Sequence, residues 1–440
     1  MHPVFARSCA VATEPSAKRP REHLPLTRFA NCRVLRGHSL IAADLWVQGG
    51  VIVEPQRLFY GSFQRADIFI DCEGLILAPG YIDVQLNGGF GVDFCSADDG
   101  GLAAGVRTVA ERVLAHGVTA FLPTVITSSA DAYRRILPQL APTAGSASAA
   151  AVLGAHLEGP FLSPSRPGCH PAEHLATPDG APDQLRRVVG DLVHNVRLVT
   201  LAPELPHAGE LIDELRGRGV AVAVGHSMAT AEEAEAAFSR GASMVTHLYN
   251  AMPPLKFGAP GIIGAVLGSP THRPFYGIIV DGGVHVHLTS VKIAAAARPH
   301  GAVLVTDAIS ALGLPDGTHR VGDISVVVRD GVARKEGTGT AGRDGTATLA
   351  GANMPLDACV RHYHTLLREL HGDGDAAAVL ALEAASLHPA RALGMDHRKG
   401  SLAVGADADL LLLDESLHIR RCFVGGVEVE GKEYARPTVY

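Results

Sequence analysis

The sequence predicts an α/β fold: a (β/α)8 TIM-type barrel with a small β-sandwich domain formed from both chain ends. Three observations carry this expectation. Eight apolar, strand-like runs alternate with helix-like stretches between residues 81 and 307, the signature of a parallel sheet. The runs are apolar almost throughout, as expected of strands buried on both faces. Short strand-like segments with Gly-rich turns flank this region on both sides. An open doubly wound sheet is the alternative, but no G-x-G-x-x-G follows the first run.

Residues 1–28 read as a flexible extension, because residues 14–23 are rich in proline and charge. The run Lys18-Arg19-Pro20-Arg21 is a solvated tail on the plainer reading and a targeting signal on the other. No hydrophobic core of a secretory signal precedes it. From Phe29 onward, the segments 32–37, 43–53 and 67–74 read as short strands. The barrel runs follow at 81–86, 118–124, 152–158, 196–202, 221–226, 243–247, 275–281 and 302–307. Helices are expected at about 101–116, 130–140, 207–218, 230–240 and 288–298; in the first, Leu102, Val106, Val109, Val113 and Leu114 share one face. A Gly/Thr loop spans 337–351, helices follow at about 355–370 and 375–386, and strands return after residue 400. The implied division is a small β domain of 29–78 plus 395–440 and a barrel domain of 79–394.

Composition narrows the function. The 440 residues are 47% hydrophobic and 19% charged, which excludes a mostly disordered chain. A net charge of −7 argues against nucleic acid as a partner. No apolar run approaches the roughly 18 residues of a membrane span. Seven scattered cysteines form no C-x-x-C pair, so a reducing, cytoplasmic setting is expected.

Barrel enzymes carry their chemistry at the C-terminal ends of the strands. Glu158 ends the third run, His226 the fifth, His247 the sixth and Asp307 the eighth; Asp281 ends the seventh, with His285 shortly after. Two imidazoles and a carboxylate suit a zinc-type divalent cation, and three ligands with an open position suit metal-assisted hydrolysis. Each residue also has a plainer role. His226 reads alone as a histidine bonded to backbone at a helix start, and Asp307 as a helix N-cap. Glu158 is hardest to explain otherwise, since a charge at an apolar strand end is costly unless paired. His285 and His287 form an H-x-H pair beyond a strand end, where substrate contact or plain surface is expected rather than metal. His170 borders the same pocket. His116 sits at a helix end, where a cation suits the dipole, and His362 and His364 lie on a helix facing solvent or partner side chains.

At these residues the chain resembles the amidohydrolase superfamily, and within it the family of deacetylases that act on N-acetylglucosamine 6-phosphate. The likeness extends from about Phe29 to the late 420s. It is carried by LAPGYIDVQLNGGFGVDF (77–94), GAHLEGPFLSP (154–164), VTLAPE (199–204), VGHSMAT (224–230), VTHLYNAM (245–252), VLVTDAISALG (303–313) and ALEAASLHPARALG (381–394). Most of the superfamily carries H-x-H on the first strand. Here Gln85-Leu86-Asn87 stands in its place, a replacement typical of this deacetylase family that implies a mononuclear site.

The resemblance implies roles residue by residue. Glu158, His226 and His247 match the metal ligands for one divalent cation per subunit, with Zn first and Fe, Co or Mn also suited. Asp307 matches the catalytic acid/base. Asn250 and Ala251 match a segment touching the sugar phosphate, Cys169 a backbone contact, and His170 a group near the acetamide carbonyl. His285, beside Asp281, matches a substrate-contacting histidine. Leu349, Ala350 and Gly351 fall where the family closes a loop over the sugar. A family arginine that contacts phosphate is missing; its place falls near Gly258, with Lys256 as the available charge. The stretch between Asp281 and His285 is one residue longer than usual, and the 337–348 loop is expanded. The expected activity is removal of the N-acetyl group of N-acetylglucosamine 6-phosphate in amino-sugar metabolism, by a homodimer. The rivals are another amidohydrolase acting on a cyclic amide or a different N-acyl sugar, a catalytically silent scaffold, and a sugar-phosphate sensor.

Overall fold

The computed structural model describes residues 24–54, 65–96, 101–321, 324–329, 332–336 and 349–431. The expected extension at 1–28 therefore lies outside the described residues up to position 23. Eight parallel strands form the central sheet: β1 (Tyr81–Leu86), β2 (Val118–Ile126), β3 (Ala155–Glu158), β4 (Val196–Leu201), β5 (Ala221–Val224), β6 (Met244–Val245), β7 (Phe275–Ile278) and β8 (Ala302–Leu304). Each pairs with its successor. The cylinder is closed between β8 and β1, where the Asp307 amide donates to the Gln85 carbonyl and the Asn87 amide to the Ala308 carbonyl, both at 2.8 Å. The third expected run is divided. Ala151–Val152 pairs with β2, and Gly154, at a φ of +116, turns the chain into β3.

Helices pack outside the strands through apolar stripes. In Leu102–Val113 the buried side chains are Leu102, Val106, Val109, Ala110 and Val113, the spacing that keeps one helical face inward. Ala231–Ser239 begins with a reciprocal cap, Thr230 accepting from the Glu233 amide and Glu233 from the Thr230 amide. The sequence reading places no helix at Gly261–Gly268 or Gln184–Val189, where the structure has them. The first is almost wholly apolar and has a Gly at each end, so it lacks a polar face to reveal its period. The second spans only 6 residues.

A four-stranded antiparallel sheet (Gly317–Val321, Ile324–Arg329, Val332–Lys335 and Leu349–Gly351) follows the barrel. This corrects the Gly/Thr loop at its far end: Leu349–Gly351 is a strand paired with Val332–Lys335, while 337–348 lies outside the described residues. The strands were hidden because they are short, three to six residues each, with glycines and charged residues at or near their ends. Val326, Val328 and Ala333 bury themselves against Ala311 in a small core of their own.

Both chain ends meet in one mixed eight-stranded sheet. It includes Leu26–Arg36, Ser39–Gln48, Ile76–Pro79, Leu410–Leu413 and Ile419–Val424. Four consecutive leucines explain how it joins the barrel. Side chains alternate across a strand, so Leu410 and Leu412 enter the sheet's own core while Leu411 and Leu413 enter the large barrel core. The contact is close. A Cβ on Gly117 would lie 2.7 Å from Ile419 Cδ1 and 3.0 Å from Leu411 Cδ1, and the backbone there has a φ of +70, so glycine fits both space and conformation. His116, next to it, is not merely a dipole partner: its Nδ1 lies 2.9 Å from buried Asp357 Oδ1. On the same helix as Asp357, His364 is buried and His362 half-buried.

Two outcomes test this architecture. Leu411→Ala should cost about 2–5 kcal/mol of stability by leaving a cavity between sheet and barrel, measured by denaturant unfolding. Burial alone would raise the Asp357 carboxyl, but His116 and Arg361 more than offset it and hold it below the ordinary value. A depressed carboxylate stabilises above its unfolded pKa, and that contribution is lost as pH falls through the folded value. Asp357→Asn should therefore be less stable than wild type at neutral pH, with the gap in unfolding midpoints narrowing below about pH 4.

Candidate active site

The C-terminal ends of β3, β5, β6 and β8 bring Glu158, His226, His247 and Asp307 to one mouth of the barrel. Glu158 Oε1 lies 3.1 Å from His226 Nε2 and 3.0 Å from His247 Nε2, and the two Nε2 atoms are 3.0 Å apart. All three side chains are buried. Burial alone would raise the Glu158 carboxyl; the two histidines hold it well below the carboxylate range. The cluster thus requires positive charge beside Glu158, which a proton on an imidazole or a cation supplies.

The donor set fits a divalent metal. His226 directs Nδ1 at the Arg166 carbonyl, 2.9 Å away. Nδ1 therefore carries the proton, and Nε2 presents a lone pair to the cluster. The three donor atoms lie close enough to share one ion.

The backbone reaches this arrangement by leaving its ordinary range. His226, His247 and Asp307 have φ values of +48, +28 and +50. Positive φ in a non-glycine residue costs on the order of 1–3 kcal/mol and concentrates at functional sites. Here each bend lies just beyond a strand end and turns a polar side chain over the mouth.

Asp307 is pushed up to about 6, chiefly by burial and then by the Glu158 charge. Asn87 Nδ2 donates to its Oδ1 at 2.7 Å, and Gln85 Nε2 donates to Glu158 Oε1 at 3.1 Å. Gln85 and Asn87 share one face of the chain leaving β1 and brace the two carboxylates. The sequence reading noted this pair and assigned it no role; the i, i+2 spacing at a strand end was the available signal. Glu204 was likewise missed. It accepts from Ser227 Oγ and the Met228 amide, both at 2.6 Å, fixing the loop that carries His226.

His170 is buried with its ring against His226. The Thr127 amide donates to its Nδ1 at 3.1 Å, and burial pushes its pKa down to about 4. The ring is therefore neutral, with its proton on Nε2, which lies 3.9 Å from Glu158 Oε2. Asp281 Oδ2 holds His285 Nδ1 at 2.5 Å, and Asp281 Oδ1 accepts from the His285 amide at 3.0 Å. Asp281 thus orients His285. His287 caps the next helix instead, accepting from the Thr289 amide. Asn250 and Ala251 lie three and four residues after His247, and Asn250 Nδ2 is buried without a bonding partner.

Other expected residues stand outside the cluster. Cys169 is exposed on the loop before His170. Lys256 and Gly258 lie on an exposed loop, closed by a backbone pairing between Lys256 and Ala259. Leu349, Ala350 and Gly351 are tied to the β8 end through Ala352, whose carbonyl accepts from the Ile309 amide.

The amidohydrolase family model matches residues 76–430. N-acetylglucosamine-6-phosphate deacetylase from Bos taurus is 47% identical over 418 residues, covering 94% of this chain and 98% of that protein. The enzyme of the same name from Homo sapiens is 46% identical over 413 residues, covering 93% and 97%. A solved structure of the N-acetyl-D-glucosamine-6-phosphate deacetylase from Mycobacterium smegmatis, a mutant in complex with N-acetyl-D-glucosamine-6-phosphate, superposes with a TM-score of 0.74 at 30% identity. It covers 92% of this chain and 99% of its own.

The geometry yields a direct expectation. His226→Ala or His247→Ala should lose one equivalent of bound divalent cation in metal analysis. Gln85→Leu, which removes only a brace on Glu158, should weaken that binding by about 10–100-fold. Unchanged cation content and affinity in all three variants would exclude this cluster as a metal centre.

Proposed function

The chain belongs to the amidohydrolase family, and from that premise we propose that it hydrolyses N-acetylglucosamine 6-phosphate to glucosamine 6-phosphate and acetate. The observation that carries the proposal is the convergence of Glu158, His226 and His247 on shared donor distances of 3.0–3.1 Å. Asp307 stands beside them, in a chain that aligns with deacetylases over 94% of its length. A divalent cation held by these three ligands supplies, when bound, the Lewis acidity that makes water acidic near neutral pH. Zinc suits the two imidazoles and one carboxylate best, and Fe, Co or Mn suits the same donors.

The chain's own groups do the rest. Asp307 takes a proton from the attacking water as its oxygen bonds to the amide carbon. It returns that proton to the sugar nitrogen as the C–N bond breaks, leaving acetate and the free amine. A carboxyl raised to about 6 suits both transfers near pH 7. Asn87 holds Oδ1 and so leaves Oδ2 for the proton. His170, with its proton on Nε2, donates to the developing oxyanion. Asn250 and Ala251, the Cys169 backbone and His285 braced by Asp281 orient the sugar. Lys256, with the backbone near Gly258, takes the phosphate as a point charge rather than a fork. Leu349, Ala350 and Gly351 border the sugar from the side of β8.

The cysteines described, including Cys32, Cys72 and Cys359, are free thiols, which suits a reducing compartment such as the cytoplasm. No helix among the described residues is long and apolar enough to cross a membrane. A homodimer is part of the proposal; exposed Leu255 and Phe257 offer apolar side chains for such a contact, and a monomer in sedimentation at working concentration would remove it.

The deciding measurement is acetate release from N-acetylglucosamine 6-phosphate by the purified protein. Turnover of a different amide with none on this substrate would replace the reading. Asp307→Asn should keep its cation and lose about 10²–10⁴ in kcat. Lys256→Ala should raise KM for the phosphorylated sugar and leave an unphosphorylated analogue unaffected. Asn87→Leu removes a donor to the charged form of Asp307, so the acid limb of the pH–rate profile should move to higher pH.

A further inference from the structure

A second group of side chains of metal-ligating type lies at the opposite end of the barrel. His38 occupies the turn between the strands Leu26–Arg36 and Ser39–Gln48. His300 precedes β8, and Glu383 lies on the helix Gly374–Ala385. Asp307 follows the C-terminal end of β8, whereas His300 is at its N-terminal end, so the strand separates this group from the active site.

The geometry resembles a ligand set. His38 Nδ1 stands 2.8 and 2.9 Å from the two carboxylate oxygens of Glu383. One donor atom each from His38, His300 and Glu383 lies within 4.8 Å of the others. Glu383 is buried at 2% exposure while both histidines are reachable from solvent. A cavity of about 420 Å³ opens beside His38 and Glu383, with room for water to complete a coordination shell.

An independent observation comes from His388. It is 1% exposed, and its Nδ1 lies 2.7 Å from the Ala302 carbonyl. That contact places the ring proton on Nδ1. In that tautomer Nε2 carries a lone pair rather than a proton. Nε2 has no hydrogen-bond partner and lies 3.9 Å from Glu383 Oε2. Two buried acceptors therefore face each other, an arrangement that costs free energy unless something positive lies near both. An ion pair between His38 and Glu383 accounts for the carboxylate but not for His388.

We propose that His38, His300 and Glu383, with His388 behind them, form a second divalent cation site of the zinc type. Imidazole-rich donors with one carboxylate favour zinc over magnesium or calcium. The ligands come from positions 38, 300 and 383, so the ion cross-links the chain-end sheet to the barrel. Its role is that of a staple: it binds only where the two bodies are docked, and it stabilises the docked state by mass action.

The test is zinc titration of the full-length protein followed by metal analysis. Wild type should hold two equivalents and His226→Ala one. Adding His38→Asn or His300→Ala to the His226→Ala protein should leave none. Asn tolerates the φ of +62 at position 38, and both histidines are exposed, so these variants test binding rather than folding. The zinc-dependent rise in melting temperature retained in His226→Ala should vanish when His300→Ala is added to it, and His300→Ala alone should keep wild-type acetate release. One equivalent in wild type, or an equivalent that survives both second-site substitutions in the His226→Ala protein, would overturn the proposal and leave His38–Glu383 as an ion pair alone.

Discussion

A carboxylate taken out of water must be answered by positive charge, and the active mouth of this barrel is arranged around that requirement at Glu158. Its side chain is buried, and its partners are two imidazoles and the amide of Gln85. None of these brings a permanent charge. The surrounding order follows from that deficit. His226 is turned by the Arg166 carbonyl to offer its other nitrogen. Asp307, buried and facing the Glu158 charge, stays less acidic than an ordinary aspartate. One buried negative group thereby creates the demand for a cation and adds to the proton affinity that burial gives its neighbour.

Strain is distributed to match. No barrel strand holds a positive φ, and the unusual backbone lies just beyond the strand ends, at His226, His247 and Asp307. A well-packed cylinder can hold such conformations because the apolar layers beneath restrict relaxation. Stability resides in the strands and reactivity in the residues that follow them.

Much of this was legible before any coordinates. The period of the apolar runs located all eight strands, because strands buried on both faces cannot conceal their composition. Glu158, His226, His247 and Asp307 were visible as the polar ends of those runs. What stayed hidden was of two kinds. Gly261–Gly268 is uniformly apolar and carries no periodic signal, and the strands between Gly317 and Gly351 are short, with glycines and charged residues at or near their ends. The braces were hidden for another reason. Asn87 and Glu204 act on partners 220 and 23 or 24 residues away, and a hydrogen bond across such a distance leaves no local trace.

The seam of the cylinder has an implication of its own. Asp307 sits where the first and last strands join, its amide bonded to Gln85 and its carboxylate to Asn87. A nascent polypeptide that has laid down its first six strands already owns Asn87, Glu158, His226 and His247, yet it lacks Asp307, which only the end of the eighth strand delivers. Under the proposed mechanism the group that moves the proton thus arrives last, with the strand that shuts the ring.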